Sequence, residues 1–318
     1  DGGAGLDTLD YSEINNANDI GINANLNTGI VTGDGTDTIS NIENIIATQN
    51  KDTIVCNDEI NILKGEAGAD TVSGAAWDDT IEGVTENDTI NGGLVKDLLK
   101  DEAETDTVSY EDATTTGTAG VTVTLEVSSD TSGLGSATGI DGIDTLWNFE
   151  NVTGSNYADT IIGNSGINIL NGLAGNDTII GNAGNDTIYG GDGIDTFDLS
   201  GRTGIAFVNL AENRSRVDTN SSGTFDIGDE TDILNSIERV IGNSSDNTIY
   251  GDSFANILDG GSAGGNSLYG AGGDDTLIGS GSGIDIAYYK PASTSIYVDM
   301  NQTVQVVRDG DGGRDTLI

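Results

Sequence analysis

The sequence predicts an all-β fold: a parallel β-roll, or β-solenoid, in which tight nine-residue coils alternate with wider ones. Three observations predict it. Residues 172–180, 181–189 and 190–198 are nine-residue units in unbroken succession, each with Gly first and fourth, Asp sixth and a large apolar residue eighth. Further nonads, whole or partial, begin at Gly2, at Gly65, Gly74, Gly83 and Gly92, at Gly154 and Gly163, and at Gly242, Gly251 and Gly270. No segment has helical apolar spacing of useful length; the nearest, Leu94 to Glu104, reads better in nonad phase, with Asp97 and Asp106 sixth and Leu99 and Val108 eighth. A fixed period decides architecture before local propensity does, because one coil cannot bury its apolar side without a neighbour.

Each element follows from its place in the nonad. The glycines supply the tight backbone turn. Positions 7 to 9 form a short strand whose middle residue points inward. Two nonads make one eighteen-residue coil, and stacked coils pair as parallel strands. The predicted interior is therefore Ile54, Leu63, Val72, Ile81, Ile90, Leu99 and Val108 in a first run, and Ile161, Leu170, Ile179, Ile188 and Phe197 in a second. Alternate nonads share an edge, so the loops at 154, 172 and 190 form one column and those at 163 and 181 the other.

A longer period overlies the short one. Residues 7–12 (Asp-Thr-Leu-Asp-Tyr-Ser) return at 106–111 and 195–200, with a weaker copy at 285–289. This divides the chain into super-repeats at 1–105, 106–194 and 195–284, with a truncated fourth at 285–318. Their tight nonads occupy 47–109, 154–198 and 242–284. Each copy opens with an alternating, strand-like stretch, at 21–26, 121–125, 205–210 and 296–300. An Asp-Thr-apolar or Asp-Ile-Leu signal follows at Asp37, Asp144, Asp232 and Asp315. Three copies then carry an Asn-Ile-Glu-Asn-Ile-like segment at 41–45, 148–152 and 236–240. These intervening stretches are predicted to be wider coils. Tyr11 and Tyr110 are expected to pack where tight coils give way to wide ones.

Composition narrows the chemistry. Against 53 acidic residues stand 11 Lys plus Arg, a net charge of −42, yet 35% of residues are apolar and regularly spaced. A chain so charged resists compaction unless counter-ions bind, so folding coupled to cation binding is expected. No basic patch exists to neutralise phosphates, which argues against nucleic acid. No apolar run reaches membrane-spanning length, which argues against membrane insertion. The absence of His removes the commonest general base and His-based metal sites. Cys56, the lone cysteine, stands where a nonad glycine would fall and reads as a turn residue. The chain opens inside a repeat, which predicts a longer parent. No catalytic constellation is expected within it.

The position-6 aspartates supply hard oxygen ligands of the kind calcium prefers. The candidates are Asp7, Asp70, Asp79, Asp88, Asp159, Asp177, Asp186, Asp195 and Asp275. In the first run Trp77 and Glu86 replace the position-4 glycine. In the third, Asn247 and Asn256 replace the aspartate, and an extra residue near Gly264-Gly265 breaks the register. Sites are therefore expected to cluster around 154–198 and to thin out elsewhere.

On these nonads the chain resembles the RTX (hemolysin-type calcium-binding) repeat family. That resemblance implies several structural calcium ions lying between neighbouring loops of one column, held by the position-6 carboxylates and by peptide carbonyls of the glycine turns. It also implies type I secretion, with folding at extracellular calcium. The leading functional expectation is a non-enzymatic, calcium-stabilised segment of a secreted bacterial cell-surface protein: an adhesin, surface layer or extracellular filament. The alternative is the non-catalytic repeat module of a secreted polysaccharide epimerase or lyase, protease or lipase. Calcium is the expected partner, with further copies end to end or cell-surface polysaccharide as further candidates; open solenoid ends favour self-assembly.

Overall fold

A computed structural model of the chain describes residues 1–14, 20–33, 35–102, 104–113, 119–125, 134–139, 142–220, 222, 229–262, 265–279, 284–289, 297–298, 305–308 and 313–318. Among these the fold is all-β: short strands, one 3-10 turn at Leu210–Glu212 and no α-helix. The chain forms two compact units, Asp1–Asn164 and Ser165–Ile318, so the division falls inside the second super-repeat.

In the first unit two parallel ladders run up opposite sides of the coils. One pairs Thr8–Asp10, Asn44–Ile46, Ile62–Ala67, Thr80–Thr85 and Leu98–Lys100 in turn. The other pairs Asn23–Asn25, Thr53–Val55, Thr71–Ser73, Thr89–Asn91, Thr107–Ser109 and Asn151–Thr153. Register follows the nonad. Ile45, Leu63, Ile81, Leu99 and Leu146 stand opposite one another along one ladder, and Ile54, Val72, Ile90, Val108 and Val152 along the other. All ten are buried. The second unit repeats the scheme: Ile179, Phe197, Val240, Leu258 and Leu277 form one inner row, and Leu170, Ile188 and Leu234 another. Every predicted position-8 residue is at most 1% exposed. Close packing of branched apolar side chains from stacked coils is what holds so thin a core together.

The wide coils are not simply wider. Each is a three-stranded antiparallel meander set into the parallel stack. In the first super-repeat it comprises Asn23–Asn25, Ile30–Thr32 and Thr36–Thr38. In the second it is Ala119–Thr124, Gly135–Gly139 and Gly142–Trp147. In the third it is Ile205–Asn209, Arg214–Asp218 and Glu230–Asn235, and a fourth joins Tyr297–Val298, Gln305–Arg308 and Arg314–Leu317. Local turn chemistry makes the chain double back: Asn209 caps the Leu210–Glu212 turn and Asn213 closes it at φ 54°, while Gly29 turns the first meander at φ 66°. The first strand of each of the first three meanders then pairs parallel with the next tight coil. The last strand of each of the later three pairs with the coil before. The predicted alternation survives this change, since Ala24, Leu26, Val121, Val123, Leu125, Ala206, Val208 and Leu210 all point inward and are buried. Of the fourth stretch, residues 296, 299 and 300 lie outside the described residues.

Tyr11 and Tyr110 are buried at the expected junctions and do more than fill them. Their hydroxyls donate to Asp37 (3.1 Å) and Asp144 (3.0 Å) in the last strand of the meander that follows. The third copy has Leu199 at that place, and Ser215 Oγ donates to Asp232 instead (2.8 Å). Cys56 is fully buried, its thiol pushed well up by burial, consistent with a turn residue.

Candidate metal centres

On each edge the position-6 residues are stacked one per coil, and along these columns one carboxylate oxygen ties its coil to the one before. Asp70 Oδ1 accepts the Asp52 amide (2.7 Å), Asp88 Oδ1 the Asp70 amide (2.7 Å) and Asp106 Oδ1 the Asp88 amide (2.8 Å). On the other edge Asn61, Asp79 and Asp97 donate to Asp79, Asp97 and Asp144 at 2.8–3.0 Å. In the second unit Asn168 donates to Asp186, Asp177 to Asp195 and Asp275 to Asp315, all at 2.9–3.1 Å. A carboxylate bridging two coils fixes their spacing and orients its second oxygen.

The second oxygen is the one left over. Oδ2 of Asp70, Asp79, Asp88, Asp97, Asp106, Asp186 and Asp195 is buried and receives no hydrogen bond. A buried, unpaired carboxylate oxygen is strongly disfavoured unless a proton or cation meets it. The oxygens point into a cradle above the position-1 glycine of their own loop. A Cβ placed on Gly65 would collide with Asp70 Oδ2 and lie 2.9 Å from the Gly83 carbonyl oxygen. One on Gly74 would lie 2.6 Å from Asp79 Oδ2 and collide with the Gly92 carbonyl, and one on Gly172 would collide with Asp177 Oδ2 and lie 2.6 Å from the Gly190 carbonyl. Carboxylate and next-coil carbonyl thus converge on a space only glycine leaves open. That oxygen-only donor set suits a hard cation such as calcium. The position-6 aspartates and these carbonyls would hold it, and it would supply the charge that the buried oxygens lack.

Electrostatics agree. Burial pushes the Asp70 and Asp97 carboxyls up to about 8, with neighbouring carboxylates of the same column adding to the rise. Burial likewise raises Asp79, Asp88 and Asp186 to about 7. Near neutrality each of these groups needs a counter-charge to be ionised where it stands.

The predicted ligands do not all behave alike. Asp70, Asp79, Asp88, Asp186 and Asp195 share the tie-and-cradle arrangement. Asp177 and Asp275 place Oδ2 above Gly172 and Gly270 in the same way. Asp7 sits over Gly2 at the start of the chain. Asp159 departs: its carboxylate accepts bonds from Val121 N (2.7 Å), Ser155 N (2.6 Å) and Ser155 Oγ (2.7 Å). It is a corner clamp, as is Asp52 with Thr48 and Ile22. The third run keeps the tie but loses the charge at Asn247, Asn256 and Asn266. Asn266 takes the sixth place, accepting the Asn247 amide (2.9 Å), so the extra residue is absorbed in its loop and Asp275 receives the Asn256 amide as in a regular stack (2.8 Å). Gly264 itself lies outside the described residues.

The first run does not fade as its sequence suggests. Trp77 and Glu86 adopt φ 78° and 74°, and Val95 and Glu104 88° and 90°, so position 4 keeps the positive φ that Gly175 and Gly184 hold at 138° and 125°. The loops keep their shape against the preference of their side chains, because stacking on both sides dictates it. Cradle oxygens are therefore as abundant here as in the best-preserved run. Replacing Trp77 by Gly should raise stability by about 1 kcal/mol, the relieved strain exceeding the added chain entropy. A melting temperature unchanged or lowered would show that Trp77 is not strained. Gly172→Ala should do the reverse, filling a cradle and lowering stability by on the order of 3 kcal/mol in saturating calcium. Melting within about 2 °C of the parent would contradict the cradle.

Three acidic residues outside the nonads complete the stacks. Glu43, Glu150 and Glu238 accept the backbone amides of Asp7 (2.8 Å), Asp106 (3.0 Å) and Asp195 (2.9 Å). Each stands in for the next position-6 aspartate where a meander interrupts the column. The repeated Asn-Ile-Glu segment was the signal for them.

The matching family model agrees with the geometry. The RTX calcium-binding nonapeptide repeat (4 copies) family matches residues 46–76, 77–94, 149–166, 153–183, 162–197, 241–277 and 261–285. No curated protein sequence matches. Among solved structures, the extracellular lipase LipA from Serratia marcescens is similar at 17% identity over 84% of this chain and 37% of its own, with a TM-score of 0.20. This chain thus spans little more than a third of that lipase's length. No helix among the described residues is long and apolar enough to cross a membrane. Residues 46–94, 149–197 and 241–285 of this chain match the RTX calcium-binding nonapeptide repeat, and they fold as part of a parallel β-roll.

Proposed function

We propose that this chain is a non-catalytic, calcium-stabilised structural segment of a secreted bacterial cell-surface protein. The observation that carries the reading is the use made of the buried carboxylates. One oxygen of each holds a neighbouring coil, and the other faces a cradle shaped for a cation, so they serve the stack rather than a substrate. A chain of net charge −42 that depends on several cations stays extended where calcium is scarce and folds where it is plentiful. Such a switch suits export before folding. Successive super-repeats also offer a way to lengthen the segment without new design.

Antibody raised against the folded segment should label intact cells of the source bacterium, and a calcium chelator should abolish the labelling. Labelling confined to culture medium, with a catalytic domain flanking these repeats in the parent chain, would instead identify the accessory module of a secreted enzyme.

A further inference from the structure

At one coil the nonad rule is broken in a way that adds chemistry. Every other tight loop of the first run from Gly65 onward opens with glycine, but the loop at 101 opens with Asp101. Its side chain occupies the place that a next-coil carbonyl takes in the neighbouring cradles. A Cβ on Gly83 would lie 2.5 Å from Asp101 Oδ2 and collide with Asp88 Oδ2. Above Gly65 and Gly74 the corresponding second atom is a peptide oxygen, of Gly83 or Gly92. Asp106 closes the group, and one carboxylate oxygen from each of the three residues lies within 4.8 Å of the others.

The three side chains are between 0% and 3% exposed, and Oδ2 of each is buried without a hydrogen-bond partner. Their other oxygens are already engaged: Asp101 Oδ1 accepts the Glu102 amide (2.9 Å) and Asp106 Oδ1 the Asp88 amide (2.8 Å). The three unpartnered oxygens are therefore held in place and aimed at one another. The nearby lysines do not neutralise them, since Lys64 and Lys100 both pair with Glu82, at 3.0 and 3.1 Å.

We infer that Asp88, Asp101 and Asp106 form a three-carboxylate cation site, distinct from the carbonyl-lined cradles and filled before them. Three formal charges at this separation repel strongly in a buried setting, so the attraction for a hard cation exceeds that of a cradle with one carboxylate and neutral carbonyls. Calcium is the physiological ligand class, and a trivalent lanthanide, which matches the charge of −3, is the sharper probe. The site also gives a reason for Asp101 at a place where glycine is the rule. It anchors the last tight coil before the meander of 119–147.

This inference rests on reading the position-6 aspartates as cation ligands, and the test separates the two. Terbium is titrated into the calcium-stripped full chain, with emission excited through tryptophan; Trp147 lines the same pocket as Asp101. Calorimetric calcium titration is run in parallel. The parent chain should show one class of sites filling first, with strong sensitised emission. Asp101→Asn should weaken that class by at least about tenfold and remove the emission that rises as it fills, leaving the later sites intact. Asp101→Gly, which restores the repeat's own residue, should do the same while keeping the coil. If the parent binds but both variants titrate as it does, the three-carboxylate site is overturned while the cradles stand. If the parent binds neither ion, the calcium reading of the whole chain falls. Should the variants not fold, anomalous scattering from a terbium-loaded parent crystal decides: a peak among the three carboxylates supports the site, and its absence there beside filled cradles refutes it.

Discussion

Removing calcium with EGTA at pH 7.5 is expected to unfold the chain, abolishing its strand circular dichroism, and calcium is expected to restore it. A ligand at one hundred times its dissociation constant contributes about 2.7 kcal/mol per site to the folded state. Three or four cradles filled to that degree therefore equal the whole stability of an ordinary domain, roughly 5–15 kcal/mol. Without the ions, at least seven buried carboxylate oxygens face no donor, and −42 formal charges repel one another. The thin inner rows of Ile, Leu and Val cannot offset both. A chain whose melting is indifferent to EGTA would show that the rows suffice and that the cradles are ornamental.

The metal-free chain is expected to regain structure on acidification, the opposite of ordinary acid denaturation. Burial holds Asp70, Asp97 and Asp101 near 8 and Asp79, Asp88 and Asp186 near 7, against about 3.9 in an unfolded chain. Between these limits the folded state binds more protons than the unfolded one, so stability falls as pH rises. The contribution is fully present below about 4 and is lost as pH passes through 7 to 8. A proton there replaces the cation as partner of Oδ2. In buffer stripped of calcium beforehand and free of chelator, lowering pH from 8 to 5 should therefore raise the strand signal and the melting temperature. In saturating calcium the trend reverses, because protons compete with the ion for the same oxygens. A metal-free chain that gains stability as pH rises over this range would contradict the burial of these groups.

Much of this was legible in the sequence because the nonad places its residues without help from distant contacts. Ile54, Leu63 and Val72 point inward for the same local reason that Phe197 does. The meanders were not legible. Alternation at 205–210 is the same for parallel and antiparallel partners, and only the turn at Asn209–Asn213 decides that the chain returns beside itself. Asp159 looked like Asp177 by phase, but Ser155 and the neighbouring meander amide of Val121 take up its oxygens. Trp77 and Glu86 looked like lost turns because propensity was weighed without the neighbours that impose the conformation. Asp101 was hidden by the template itself, which registers a missing glycine and not a gained ligand. Glu43, Glu150 and Glu238 follow the amides they cap by 36, 44 and 43 residues, a spacing no nine-residue template holds.

The central claim is that Oδ2 of each stacked aspartate is a cation ligand. Anomalous difference maps from calcium-loaded crystals test it most directly. Peaks are predicted above Gly65, Gly74, Gly172 and Gly181, each about 2.3–2.6 Å from an aspartate Oδ2. Cradles holding only water in calcium-saturated crystals would contradict it.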